Sequence, residues 1–414
     1  MSIGKIKNNL IILCITLVII SISTVLINEK ISRISFFIAC YVSILGILLD
    51  KGNYKSYIKS IPIFLLIFGL SKLIWFYLFR ISYDVISEID MYSGYLQSGK
   101  RIILCSILTA YLLLNLKNKN YNRKIFIFSL GVSFTLATFF SIYQIKIGIP
   151  RVSLYTVATA AAYMYSCLSL VLISSLMHSS IKKTFSYLAV VLIFLISLFI
   201  IFHTGTRAAI IIHPLIFFVI LLVTNWNNKY KNIFLSSATI LILAFLFIFN
   251  NIIIEKINQT TNEIEIYKQS QGNEMSSLGA RFSMWNTGIH SFYQHPMGAT
   301  MKQRHETIES YTEKENRDRS AKNFTYIHLH NEIIDTLSLQ GILGAAALLL
   351  FYAAMLIRAV KQKNPMLLSV MLCLIIYGLT DVIFINRAMS LLFCLMILTA
   401  ILLNKQNESD KQSS

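Results

Sequence analysis

The chain has 414 residues, of which 56% are hydrophobic and only 14% are charged. A soluble protein of this size would alternate apolar and polar faces, whereas this chain shows repeated apolar runs of about 20 residues, the length that spans a bilayer. The composition therefore excludes an ordinary soluble domain, and the net charge of +18 has to be explained within a membrane protein.

Twelve apolar runs follow one another along the chain. In hydrocarbon every backbone polar group must bond internally, so each run is predicted to be a transmembrane helix. The predicted spans are 10–28, 32–49, 61–79, 102–116, 125–145, 153–177, 185–203, 208–225, 232–250, 332–357, 365–385 and 388–404. We therefore predict an all-α polytopic membrane protein with helices 1–9 in residues 1–250, a large outer loop with amphipathic helices at 251–331, helices 10–12 at 332–404 and a tail at 405–414.

The basic residues set the predicted orientation of these helices. With the N-terminus inside, the inner loops and termini carry 18 lysines and arginines and three acidic residues. About +15 of the net +18 therefore lies on the inner side. This is the asymmetry of the positive-inside rule, which predicts that both termini are cytoplasmic and that 251–331 is outside. Topology thus explains the charge, and no nucleic-acid partner is expected.

A tight turn, His203-Thr204-Gly205-Thr206-Arg207, joins the seventh and eighth predicted spans on the outer side. The turn is so short that Arg207 must lie at the depth of the membrane surface. A charge at that depth is costly unless it is paired or wetted, which makes Arg207 a candidate functional residue. The alternative is an interfacial anchor.

The outer loop contains an amphipathic helix over 276–292, in which Phe282, Trp285, Ile289 and Phe292 recur at helical spacing. Ser277 is a candidate N-terminal cap for it, and His295-Pro296 should end it. Arg281 lies near its N-terminus. Such an arginine is often simply solvated, but the positive end of the helix dipole also favours an anion site.

Charges of both signs crowd the stretch from Met301 to Lys322. For most of them we expect a solvated, mobile face, with one or two residues gathering over a substrate as a lid. Asp335, Asp381 and Arg387 lie near the ends of the last three predicted spans. We expect these three to pair structurally with the arginines of the outer segments rather than to take part in chemistry.

His330 stands where the outer loop gives way to the tenth predicted span, with Asn331 or Glu332 beginning the helix. Gly341 and Gly344 follow at the spacing of small residues that lets two membrane helices approach closely. An imidazole at an interfacial helix start, among arginines, suits a general base.

No metal site is predicted. All six cysteines lie inside predicted spans and have no metal-ligand spacing, so they should pack as small apolar residues. His328 and His330 are separated by one residue, and no third ligand lies near them in the sequence. A zinc site is therefore a weak interpretation.

These residues carry a resemblance to the O-antigen ligase family, within the group that includes the O-antigen polymerases. The family motif is matched completely by His330-Asn331, nine residues, Gly341, two residues and Gly344. The stretches 277–281 and 328–334 look like those of the enterobacterial ligases, and Thr204 to Arg207 matches the family's arginine after the seventh helix. Twelve spans with one large loop before the tenth also match the family topology.

The resemblance implies a GT-C-like membrane glycosyltransferase of the bacterial inner membrane, inverting, metal-independent and free of cofactors. The implied donor is undecaprenyl-diphosphate-linked O-antigen, the implied acceptor is the lipid A–core oligosaccharide, and the site is periplasmic. His330 would act as the base, while Arg207 and Arg281 would neutralise the diphosphate, for which guanidinium groups are suited. Further expected substrate contacts are Arg304, Arg319, Lys322 and Asn331. We expect His305 and His328 to be structural or to face the acceptor.

Two other functions remain open at this point. A polymerase of the same superfamily would join repeat units on the lipid carrier without touching the core. A flippase would favour charged residues in several spans and an inverted repeat. The chain shows few charges inside spans, mainly Lys72 and Asp381, and no clear repeat, so the flippase ranks last.

Overall fold

A computed structural model describes residues 3–79, 86–116, 119–178, 183–225 and 250–412, with isolated positions between 226 and 249. Within these residues the chain is helical and contains no strand, as its apolar periodicity predicts. The α-helices are α1 (Ile3–Thr24), α2 (Glu29–Leu49), α3 (Tyr54–Ser60), α4 (Ile63–Phe79), α5 (Ile86–Asn115), α6 (Lys119–Lys146), α7 (Ala158–Met177), α8 (Lys183–His203), α9 (Arg207–Asn225), α10 (Asn250–Ser270), α11 (Ser277–Gln294), α12 (Met301–Lys314), α13 (Glu332–Lys361), α14 (Pro365–Gly378) and α15 (Arg387–Gln412).

The predicted number of twelve spans is not confirmed. Among the described residues eight helices are long and apolar enough to cross a membrane, or nine if the bent pair α3 and α4 forms one span. The prediction at 102–116 corresponds to the second half of the longer α5, and that at 365–385 to the 14-residue α14. The ninth predicted span, 232–250, lies outside the described residues. The protein is nevertheless built as an integral membrane protein.

Helices α7 and α15 form the centre of the bundle. The apolar windows of these two helices are 89% and 94% buried, whereas the other candidate spans are 22–44% buried. Because α7 faces protein rather than lipid, it tolerates Ser166, Ser169, Ser174 and Ser175 among its apolar residues. This position explains why α7 is the least apolar of the candidate spans.

A layer formed by the shorter helices α11 and α12 and a 3₁₀ helix at Arg319–Phe324 covers one end of the bundle, with α10 packed against α11. A small apolar core holds the layer together, formed by Ala280, Met284, Ile308, Ala321 and Leu329. The segment 301–322, predicted to be mostly a solvated and mobile face, contains the regular helix α12, and most of its charged side chains are exposed, as predicted. Its start is closed by a capping box in which Thr300 and Gln303 bond reciprocally.

Gly341 breaks α13 rather than lying on a straight helix face. Its φ of +63° is left-handed, and the loop 296–298 packs against it so closely that an added Cβ would lie 2.5 Å from Met297 C. Backbone bonds from Ile342 N to Pro296 O and from Ala299 N to Leu339 O seal the break. The predicted close approach is therefore made by a loop, not by a second helix. A Cβ on Gly344 would meet Gln340 of its own helix.

Candidate active site

A cavity of about 340 Å³ opens where the start of α11 faces the 3₁₀ helix and the entry to α13. One part of its wall is polar and one part is apolar. The lining residues are Met275, Ser276, Ser277, Ala280, Arg281, Met284, Phe324 and His330. Two of the three residues predicted to carry chemistry, Arg281 and His330, therefore share one cavity.

His330 is positioned by the helix that begins immediately after it. Asn331 caps α13, since its side chain accepts hydrogen bonds from Ile333 N and Ile334 N. The same side chain donates to Leu379 O at 3.2 Å, which ties the cap to the end of α14. His330 itself has a left-handed φ of +48°, and its side chain is 24% exposed. The side chain of Asn331, which was predicted to contact substrate, is therefore engaged in capping the helix.

Asp381 is the partner of the His330 imidazole. Its Oδ1 lies 3.1 Å from His330 Nδ1 and 3.0 Å from His328 Nε2, and it also accepts from Val382 N. The histidine rings meet edge to face with centroids 4.4 Å apart. We expected Asp381 to pair with an arginine, but the fold gives it two histidines instead.

The charge state of Asp381 follows from these contacts. Burial alone would raise the pKa of the Asp381 carboxyl, but hydrogen bonds from His328 and His330 outweigh it and hold the pKa well below its usual range. Burial likewise opposes charge on His328, yet Asp381 outweighs it and raises the pKa of His328. Asp381 is therefore a carboxylate at neutral pH. It favours the tautomer in which His330 Nδ1 carries the proton and Nε2 presents a lone pair.

Arg281 is the fifth residue of α11, one turn after the helix begins. The N-cap of this helix is Ser276, whose side chain accepts from Gly279 N, so the cap stands one residue before the predicted Ser277. Ser276 and Ser277 both line the cavity beside Arg281. The cavity thus combines a guanidinium, two hydroxyl-bearing residues and the positive end of a helix, a set that suits an anion.

Arg207 lies at the start of α9, just behind the cavity wall. Its Nη2 lies 2.8 Å from Glu263 Oε1, and the other oxygen of Glu263 accepts from Leu278 N at 2.9 Å. Burial opposes the shift, but the bonds from Arg207 and Leu278 lower the pKa of Glu263. Arg207 does not line the cavity, and Glu263 connects it to the first turn of α11, one turn before Arg281.

The other predicted substrate contacts lie elsewhere. Arg304 is fully buried, pairs with Asp335 at 2.9 Å, and donates to the carbonyls of Thr325 and Ile327. Because its guanidinium is engaged inside the protein, Arg304 holds the loop before His330 rather than facing the cavity. Arg319 is exposed on the surface, and Lys322 pairs with Glu313 at 2.9 Å. His305 bonds Thr325 and stacks on Tyr326.

Two buried carboxylates in the first turn of α13 hold in place the segments that carry the site residues. Asp335 accepts from Leu329 N and from the Tyr95 hydroxyl, in addition to Arg304. Glu332 lies 3.4 Å from Lys72 Nζ and accepts from Phe384 N, which belongs to the same turn as Asp381. One helical turn therefore anchors both the loop of His330 and the turn of Asp381.

His328, His330 and Asp381 also form a possible metal-binding group, with one ligand atom from each lying within 4.8 Å of the others. The chain fold supplies the third ligand that the sequence did not show. In this arrangement both imidazoles direct a ring nitrogen at the same carboxylate oxygen, at hydrogen-bond distance. That geometry satisfies the carboxylate with two N–H donors, which a metal ion would have to displace.

Comparison with known proteins agrees with the motif. Residues 192–349 match the family model described as O-antigen ligase. The chain is 28% identical over 406 residues to the O-antigen ligase of Escherichia coli strain K12, an alignment that covers 96% of this chain and 93% of that protein. The family match includes Arg207, Arg281 and the whole motif from His330 to Gly344.

Proposed function

We propose that this relative of the O-antigen ligases, similar to one of them over 96% of its length, is itself an O-antigen ligase. It transfers O-antigen polysaccharide from undecaprenyl diphosphate to the lipid A–core oligosaccharide. Both comparisons carry the ligase description, and neither favours the polymerase alternative. In this proposal the protein lies in the inner membrane with both termini cytoplasmic and with the cavity on the periplasmic side, as the distribution of basic residues predicts.

One observation supports the chemistry most directly: Arg281 and His330 line the same cavity, and Asp381 stands behind His330. A sugar hydroxyl is a weak nucleophile near neutral pH. His330 Nε2 takes its proton as the oxygen attacks the anomeric carbon, and Asp381 stabilises the imidazolium that forms. The bond from the anomeric carbon to the diphosphate breaks, and the electron pair leaves with the undecaprenyl diphosphate. Direct displacement inverts the anomeric configuration.

The leaving diphosphate gains negative charge as this bond breaks. Arg281 offers it N–H donors, and the start of α11 adds positive potential to the cavity wall. The charge of Arg207 is balanced by its pair with Glu263, so Arg207 contributes to binding the phosphates only if that pair opens. The reaction as proposed needs no metal ion or cofactor.

The apolar wall of the cavity fits the remainder of the substrate pair. The apolar lining residues are Met275, Met284 and Phe324. An aromatic face such as that of Phe324 packs well against the C–H face of a sugar ring. The isoprenoid tail of the donor remains in the lipid, so the diphosphate has to be presented near the membrane surface.

The direct test is transfer in vitro with a defined lipid-linked donor and purified lipid A–core. We expect the wild-type protein to cap the core and His330→Ala to leave donor and acceptor unreacted. Lys302→Gln, on the exposed face of α12, serves as a matched control and should react normally. Normal capping by His330→Ala would refute the assignment of the base. Growth of the polymer on the carrier, without transfer to the core, would identify a polymerase instead.

A further inference from the structure

A second charged cluster lies at the same end of the bundle as His330. It consists of Glu29 and Arg33 at the start of α2, Arg101 in the middle of α5, and Arg387 at the start of α15. Arg387 follows Asp381 by six residues on the same connection, so the cluster and the candidate active site share one turn of chain. We call these four residues the α2 cluster.

Arg101 is the buried member of the α2 cluster. It is only 1% exposed, and its Nη1 donates to Arg387 O at 3.0 Å and to Ser390 Oγ at 2.8 Å. Its Nε and Nη2 are buried and have no hydrogen-bond partner among the described residues. The nearest carboxylate oxygen, Glu29 Oε1, is 3.9 Å from Nη2. Two donors of a buried guanidinium are therefore left for a ligand, which is costly without one.

The α2 cluster also has more positive than negative charge. Arg33 Nε lies 3.1 Å from Glu29 Oε1, so the only acid of the cluster is shared by two arginines. The Arg387 side chain is exposed, and no carboxylate among the described residues pairs with it. Three guanidiniums and one carboxylate leave a net positive charge, which suits an anion with several acceptor oxygens.

The surroundings indicate that this anion arrives on a lipid. Helix α2 is a candidate membrane span with only 39% of its apolar window buried, and Ile31, Ile34 and Ile38, on its outward side, are 46%, 47% and 44% exposed, as expected for a helix that borders acyl chains. Arg33 and Arg387 lie at the starts of α2 and α15, so a lipid beside α2 would carry its headgroup at their level. Free phosphate would gain nothing from the apolar face.

We propose that the α2 cluster binds a phosphate group carried by a lipid in the membrane leaflet on the side of His330. A phosphorylated glycolipid fits it best, because Arg387 begins α15 at the end of the connection that carries Asp381, so a ligand there would approach the candidate active site from the same end of the bundle. This inference rests on the proposed function only for that choice of lipid. The phosphate chemistry itself follows from the arginines.

The test is a binding measurement with the full-length protein in nanodiscs. The probes are a bisphosphorylated glucosamine disaccharide lipid, its dephosphorylated form, phosphatidylglycerol and inorganic phosphate. The variants are Arg33→Gln and Arg387→Gln, both at partly or fully exposed side chains whose replacement leaves the buried Arg101 in place. The matched control is Lys30→Gln, a neighbouring exposed cation on α2 outside the cluster.

We expect the phosphorylated glycolipid to bind the wild-type protein at least about tenfold more tightly than its dephosphorylated form. Each arginine variant should lose about tenfold in affinity, and Lys30→Gln should lose none. Equal binding of phosphatidylglycerol with the same dependence on arginine would support the site and make the ligand a general phospholipid phosphate. Unchanged affinity in both arginine variants, or inorganic phosphate binding as tightly as the lipids, would overturn the proposal. His330→Ala should bind the lipid normally, so failure here and failure of the ligase proposal can be told apart.

Discussion

The Asp381 carboxylate and the His330 imidazole are 51 residues apart in the chain, yet their Oδ1 and Nδ1 atoms lie 3.1 Å apart in the fold. This contact gives the imidazole an orientation and a preferred tautomer, which a base at the cavity wall requires. It also explains why a charged carboxylate is retained beside apolar helices, since two imidazole N–H groups satisfy it.

Replacing Asp381 with Asn should reduce the rate of transfer without unfolding the protein. The amide retains the size of the side chain but lacks the charge that stabilises the imidazolium. Because general-base catalysis contributes about 10²–10⁴ in rate, we expect kcat to fall by at least about a hundredfold while donor binding changes little. The measurement is the kinetics of capping in vitro. A rate within about threefold of wild type would show that Asp381 does not support the base.

Stability should depend on pH through His328. The pKa of this imidazole is raised in the folded protein above its unfolded value of about 6.5. The stabilisation is therefore fully present below the unfolded pKa and is lost as the pH rises through the folded pKa. The difference in melting temperature between wild type and His328→Gln should be largest near pH 6 and should shrink by about pH 9. A difference that stays constant over this range would contradict the charged pair.

Gly341→Ala should destabilise the protein. The left-handed φ and the 2.5 Å approach of the loop at 297–298 leave no space for a methyl group. Backbone strain of this kind costs about 1–3 kcal/mol, and the clash adds to it. The matched control is Gly131→Ala, in α6, where a Cβ meets nothing within 4 Å. Thermal melting in detergent should separate the two variants, and equal melting temperatures would argue against the break in α13.

Arg304 and Arg319 should behave differently although both were predicted as substrate contacts. Arg304→Gln leaves Asp335 buried without its charged partner, which typically costs about 3–5 kcal/mol. Arg319→Gln, at an exposed side chain, should change stability by less than about 0.5 kcal/mol. Denaturation of the two variants measures this directly. If Arg304→Gln melted like wild type and lost activity only, its role would be substrate binding after all.

Chelation tests the hydrogen-bonded interpretation of His328, His330 and Asp381. If the carboxylate is held by two imidazole N–H groups in the working enzyme, prolonged EDTA treatment should leave the rate of transfer unchanged. A zinc-dependent control enzyme in the same assay should lose its activity. Loss of transfer after EDTA, restored by one divalent metal, would assign these three residues as metal ligands.

The sequence by itself determined the features that depend on local composition. Apolar runs predict membrane helices because hydrocarbon requires internal backbone bonds. The start of a helix at Asn331 or Glu332, the amphipathic helix carrying Arg281 and the tight turn before Arg207 likewise follow from neighbouring residues. Only the tertiary structure decided which distant groups meet. Asp381 hydrogen-bonds His330, Arg304 forms a buried ion pair, and a loop packs against Gly341. Charges attract over distance without regard to chain order, so their partners depend on how helices pack, and packing cannot be read from local pattern.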